Sequence, residues 1–161
     1  MSEQAKLTHL DERGAPRMVD VSAKDATARE ATARGSVFVN VETLRLAKSG
    51  AGKKGDVLTT ARLAGIMGAK RTPDLVPLCH PLPLTGIEVS VEADEAKGAI
   101  EIEATVRTTA KTGVEMEALT AVSVAALTVY DMLKSAQKDM RIGEIRLVRK
   151  TGGAGGDYQA P

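Results

Sequence analysis

The chain has 161 residues, enough for one domain with a sizeable core. Aromatic residues make up only 2% and the formal net charge is +1, which argues against a duplex nucleic-acid binder and against a single-strand binder that stacks bases. Cys79 is the sole cysteine, so no internal disulfide forms, and no run approaches the length of a membrane span; the expected setting is the reducing cytoplasm, with no membrane partner.

Residues 1–16 read as a loose polar arm and Arg17 to Val21 as a short strand. Residues 30–41 end in the β-branched run Ser36-Val37-Phe38-Val39-Asn40-Val41, which reads as a strand. Glu42 to Lys48 suits a short helix, stopped by Ser49-Gly50-Ala51-Gly52. Asp56 is placed to cap a second helix over Val57 to Lys70. Prolines 73, 77, 81 and 83 then impose rigid irregular chain over Thr72 to Pro83.

Ile87, Val89, Val91 and Ala93 alternate with polar residues, as do Ile100, Ile102, Ala104 and Val106. Period two predicts a hairpin with one apolar face, turning at Ala96-Lys97-Gly98. Ala118, Val122, Ala125 and Val129 recur at helical spacing within Val114 to Lys134. Arg141 to Lys150 alternates again, and residues 151–161 read as a mobile glycine-rich tail. The order βαββαβ predicts a single ferredoxin-like α+β domain with helices on one face of an antiparallel sheet.

Four segments carry more reactive groups than a core needs. Lys53-Lys54-Gly55-Asp56 sits at a helix start, where lysines, free amides and the helix dipole can hold phosphate; a solvated loop with a capping Asp is the plainer reading. Leu78-Cys79-His80-Pro81-Leu82 holds an imidazole in rigid apolar chain, suited to proton transfer or to a structural hydrogen bond. Zinc is not expected, since the spacing of His9, Cys79 and His80 fits no zinc motif. Glu115, Met116 and Glu117 open a helix, where carboxylates favour the dipole and can also accept hydrogen bonds from a guanine-like ring. Asp131 and Lys134 share a helix face at i and i+3, a surface ion pair or an acid–base pair. Glu117 and Asp131 lie roughly 21 Å apart along one helix at 1.5 Å per residue. A compact reacting centre therefore joins two subunits, or its ligand is long.

Leu7-Thr8-His9, Met18-Val19-Asp20-Val21-Ser22, Lys54-Gly55-Asp56-Val57, Ala61 to Ile66, Pro77 to Leu82, Lys111 to Ala121, Thr128 to Met132 and Gln137 to Met140 together resemble the cyclic pyranopterin monophosphate synthases over nearly the whole chain. The resemblance implies a lyase of molybdenum cofactor biosynthesis. It would convert (8S)-3′,8-cyclo-7,8-dihydroguanosine 5′-triphosphate to cyclic pyranopterin monophosphate and pyrophosphate. It also implies a hexamer, a trimer of dimers with interfacial sites, and no required cofactor beyond a divalent ion that can accompany the triphosphate. By that resemblance Asp131, Lys134 and Lys54 are the catalytic candidates. His80, Glu115, Met116, Glu117, Lys150, Leu78 and Cys79 are the substrate-binding ones, with Arg29 and Lys70 as further cations. The chain departs from the family where Gly-Gly-Lys-Ser-Gly is usual: it reads Gly152-Gly153-Ala154-Gly155-Gly156, without that lysine and serine. The alternative reading is a ligand-binding ferredoxin-like module without catalysis, which the retained Lys54, His80, Asp131 and Lys134 count against.

Overall fold

The computed structural model describes residues 9–50 and 55–161. Strand β1 (Thr27–Phe38) is followed by helices α1 (Val41–Ser49), α2 (Val57–Lys70) and the single turn α3 (Thr72–Leu75). Strands β2 (Leu84–Asp94) and β3 (Ala99–Ala110), helix α4 (Glu115–Leu133), strand β4 (Arg141–Thr151) and the short β5 (Tyr158–Gln159) complete the order. The sheet runs β2-β3-β1-β4-β5 with every pairing antiparallel. Its first four strands have the ferredoxin-like order that the sequence predicts.

The hairpin register places Ile87 opposite Val106, Val89 opposite Ala104 and Val91 opposite Ile102. The two apolar stripes therefore form one face, and Ile100 and Ile102 are fully buried on it. Burial of each such side chain stabilises the fold by about 1.5–3 kcal/mol. α4 lays Ala118, Val122, Ala125 and Val129 on this face, all inaccessible to solvent. Contrary to the sequence expectation, α4 is long and apolar enough, by length and composition, for a membrane span; in the fold its buried side belongs to the core. At Gly35 in β1 an added Cβ would lie 2.7 Å from Val122 and 2.9 Å from Ile145. That glycine lets α4 cross the central strand closely.

The opposite face is a charged lattice. Arg107 donates to Glu30 at 2.6 Å and to Glu88 at 2.5 Å, and Arg34 donates to Glu103 at 2.5 Å. Exposed pairs of this kind contribute at most about 1 kcal/mol each.

Three local expectations are corrected. β1 begins at Thr27 and stops at Phe38, because Asn40 caps α1, its side chain accepting from the Thr43 amide at 2.8 Å. Within Thr72–Pro83 one helical turn forms, with proline at its start. Arg17 to Val21 is not a strand: the Val19 carbonyl accepts from the His80 ring and the Val21 carbonyl from the Lys24 amide, rather than from a neighbouring strand. At the other end the glycine-rich tail turns back. The Gly152 amide donates to Asp157 at 3.1 Å, and β5 pairs Tyr158 with Lys150.

Candidate functional site

A cavity of about 400 Å³ opens at the N-terminal end of α4. One wall is Leu78, Cys79, His80 and Leu82 from the proline-rich segment; a second is Thr112, Gly113, Glu115, Met116 and Glu117. His9, Val19, Val21 and Lys24 of the N-terminal segment close the third side.

The His80 ring nitrogen Nε2 lies 2.8 Å from the Val19 carbonyl. A carbonyl only accepts, so Nε2 carries the proton, and Nδ1 of the neutral ring is an acceptor. α4 starts without a side-chain cap at Val114, which leaves the positive end of its dipole at the cavity. Glu115 folds back over Gly113, where an added Cβ would lie 2.0 Å from its carboxylate, and pairs with Lys150 at 3.2 Å. Glu117 is only 3% exposed. Burial, and secondarily the Glu115 charge, raise its pKa above the ordinary 4.5, against a lowering bond from its own amide. Burial and the neighbouring Glu117 likewise raise the Cys79 thiol. Cys79 is therefore a poor nucleophile here.

A second, smaller cavity of about 270 Å³ shares Leu82 and Glu117 with the first and is walled by Lys70, Pro73, Pro81 and Ile87. Arg29 ties the base of the site to the sheet, donating from Nε to the Ala110 carbonyl at 3.0 Å and from Nη2 to that of Lys111 at 3.3 Å.

The structure thus brings Leu78, Cys79, His80, Glu115, Met116 and Glu117 together, with Lys150 joined through Glu115. Asp131 and Lys134 pair at 2.7 Å at the far end of α4, both half-exposed. Asp131, by hydrogen bond and then by charge, raises the Lys134 pKa above the usual lysine value. Lys54 lies outside the described residues. The sequence reading missed Lys24 as a cavity residue. It stands two positions beyond the Met18–Ser22 motif, and nothing in local spacing says that this stretch folds across the site. Among the described residues no three His, Cys, Asp or Glu side chains are grouped to hold a metal ion.

The family model described as the MoaC family matches residues 18–153. The chain belongs to the MoaC family. A cyclic pyranopterin monophosphate synthase of Roseiflexus sp. is 64% identical over 152 residues, covering 94% of this chain and 96% of the relative. Proteins of the same name are similar in Parvibaculum lavamentivorans, at 60% over 155 residues (96% and 97% covered), and in Heliobacterium modesticaldum, at 61% over 152 residues (94% and 96% covered). The MoaC match spans both cavity walls, the Asp131–Lys134 pair and Lys150, and ends at Gly153, just before Ala154 and Gly155.

Proposed function

We propose that the chain is a lyase that makes cyclic pyranopterin monophosphate from 3′,8-cyclised dihydro-GTP, with release of pyrophosphate. The observation that carries this reading is the joining of His80, Glu115 and Glu117 in one cavity at a helix N-terminus, in a chain so close to synthases of that name. In the phosphate step a substrate hydroxyl attacks the α-phosphorus. The P–O bond to the β-phosphate breaks, the cyclic phosphate closes, and pyrophosphate leaves with the electron pair. Lys54 and Lys150 stabilise that departing charge. Glu115 and Glu117 accept hydrogen bonds from the N–H edge of the base-derived ring, Met116 packs on it, and Leu78, Cys79 and His80 wall the pocket.

Asp131 and Lys134 are proposed as the acid–base pair of the rearrangement. They act from a neighbouring subunit, in a hexamer built as a trimer of dimers. The length of α4 supports this arrangement, as do Leu63, Met67 and Leu127, apolar side chains left exposed on α2 and α4. Lys134 then meets a second chain's cavity, where desolvation opposes the raising effect of Asp131 and brings its pKa toward working pH. The enzyme is proposed to work in the cytoplasm on this small molecule, with neither nucleic acid nor membrane, and to need no resident cofactor; a divalent ion can enter with the triphosphate.

The test is a single-turnover reaction of chelator-dialysed protein with the cyclised nucleotide. Pyrophosphate and the fluorescent oxidised pterin are followed together. Equal yields of both support the proposal. Binding without either product overturns it in favour of a non-catalytic module.

A further inference from the structure

The N-terminal segment does more than close the cavity. Two bonds fix it there, His80 Nε2 to the Val19 carbonyl at 2.8 Å and the Lys111 ammonium to the Ser22 carbonyl at 2.7 Å, and within the segment the Lys24 amide donates to the Val21 carbonyl at 3.0 Å. The last of these closes a turn that sets Lys24 at the cavity, which its side chain helps to line.

The charges around this cavity are not balanced for an anionic ligand. Two carboxylates, Glu115 and Glu117, face it. The nearby cations are mostly engaged. Lys150 pairs with Glu115, Lys111 donates to Ser22, and Arg29 donates to the Ala110 and Lys111 carbonyls. Lys24 is the lysine lining this cavity, is exposed, and its ammonium makes no hydrogen bond or ion pair with another described residue. An ammonium left without a carboxylate partner is available to an anion without breaking any bond of the fold.

We infer that Lys24 is a further substrate-binding residue, whose ammonium holds the phosphate chain on the N-terminal-segment side of the cavity. The inference deepens the proposed function and rests on its triphosphate-bearing substrate. Lys24 and the carboxylates then read opposite ends of one molecule. Glu115 and Glu117 take its N–H edge, and Lys24 takes its anion. The two bonds that seat the segment and the turn at Val21–Lys24 place this residue's backbone before the ligand arrives, which lowers the ordering cost at binding.

The test compares the full chain with Lys24→Met and Lys24→Arg. Inorganic tripolyphosphate binding is measured by calorimetry at several salt concentrations, and KM and kcat are measured with the cyclised nucleotide. Lys24→Met is expected to weaken tripolyphosphate binding and raise KM by roughly ten- to hundredfold, the loss of one charge-assisted hydrogen bond. Its kcat should change far less, its binding should be less salt-sensitive, and Lys24→Arg should recover most of the affinity. Melting curves should coincide, since Lys24 has no fold partner to lose. Tripolyphosphate affinity and KM of Lys24→Met within twofold of the unchanged chain would overturn the inference alone, provided the unchanged chain turns over. Lys24-dependent tripolyphosphate binding in a chain that makes no product would uphold Lys24 as an anion site and overturn the proposed reaction instead.

Discussion

Glu117 shows the conflict between stability and use at a single carboxyl group. Its ordinary pKa is 4.5, and burial raises the folded-state value. Between those two values the folded chain binds more protons than the unfolded one, so stability falls as pH rises through that window. Above it, at neutral pH, the fold carries the full cost of a buried charge. Glu117→Gln removes the charge and keeps the shape. We expect the variant to be more stable than the unchanged chain at pH 7.5 in urea unfolding. The difference should shrink as pH falls toward 4.5, while substrate affinity is lost at every pH. Equal stabilities at pH 7.5 would show that Glu117 is not desolvated in solution. Cavity-lining residues were legible in the sequence where they are contiguous: Leu78 to His80 and Glu115 to Glu117 come from two short runs, and chain connectivity alone keeps each run together. Lys24 was not legible, because its place depends on bonds to His80 and Lys111, 56 and 87 positions away in the chain.

At the level of elements, the hairpin and α4 were legible from their period, and α2 because period and cap agree. Asp56 caps α2 as expected, accepting from Thr59 at 3.0 Å, and the apolar alternation of β2 and β3 matches their register. β1 was only half legible. Its first nine residues, Thr27 to Gly35, mix small and charged residues and end in a glycine, so their strand signal is weak until α4 covers them. The same smallness governs the helix layer. An added Cβ on Gly65 would sit 3.0 Å from the Ala121 carbonyl, and one on Gly68 would sit 2.8 Å from Cβ and Cγ2 of Val124. These glycines cost α2 about 1 kcal/mol each in helix propensity, and they let α2 and α4 pack backbone to backbone. Gly68→Val is therefore expected to destabilise the chain by about 1–3 kcal/mol through overpacking. Adding Val124→Ala should return part of that loss, because it empties the space that the new side chain needs. A double variant no more stable than Gly68→Val in urea unfolding would place the cost in the backbone rather than in this contact.

At the scale of the whole molecule, the proposed reaction has to bring both ends of α4 to one centre. The 19-residue helix spans about 28 Å, with the cavity at its start and the Asp131–Lys134 pair at its end. In one chain the pair is half-exposed and tightly bonded at 2.7 Å, with Lys134 held in its charged form. Such a lysine is a poor proton shuttle at neutral pH until something desolvates it. A second subunit seated over it would do so and would also bring a cavity to the pair. On the proposed arrangement, each working centre would take its cavity from one chain and its acid–base pair from another. His80→Ala and Lys134→Ala should each be inactive as pure oligomers. When they are co-assembled in equal amounts, a centre works if its cavity comes from the Lys134→Ala chain and its pair from the His80→Ala chain. Random assembly satisfies each condition half the time, so about one quarter of the centres should be intact. Co-expressed, tag-separated mixed oligomers should accordingly recover about a quarter of normal turnover, with KM close to that of the unchanged chain because the intact centres are complete. Mixed oligomers verified by native mass spectrometry that stay inactive would place both ends of α4 in one chain's centre, reached by an extended ligand.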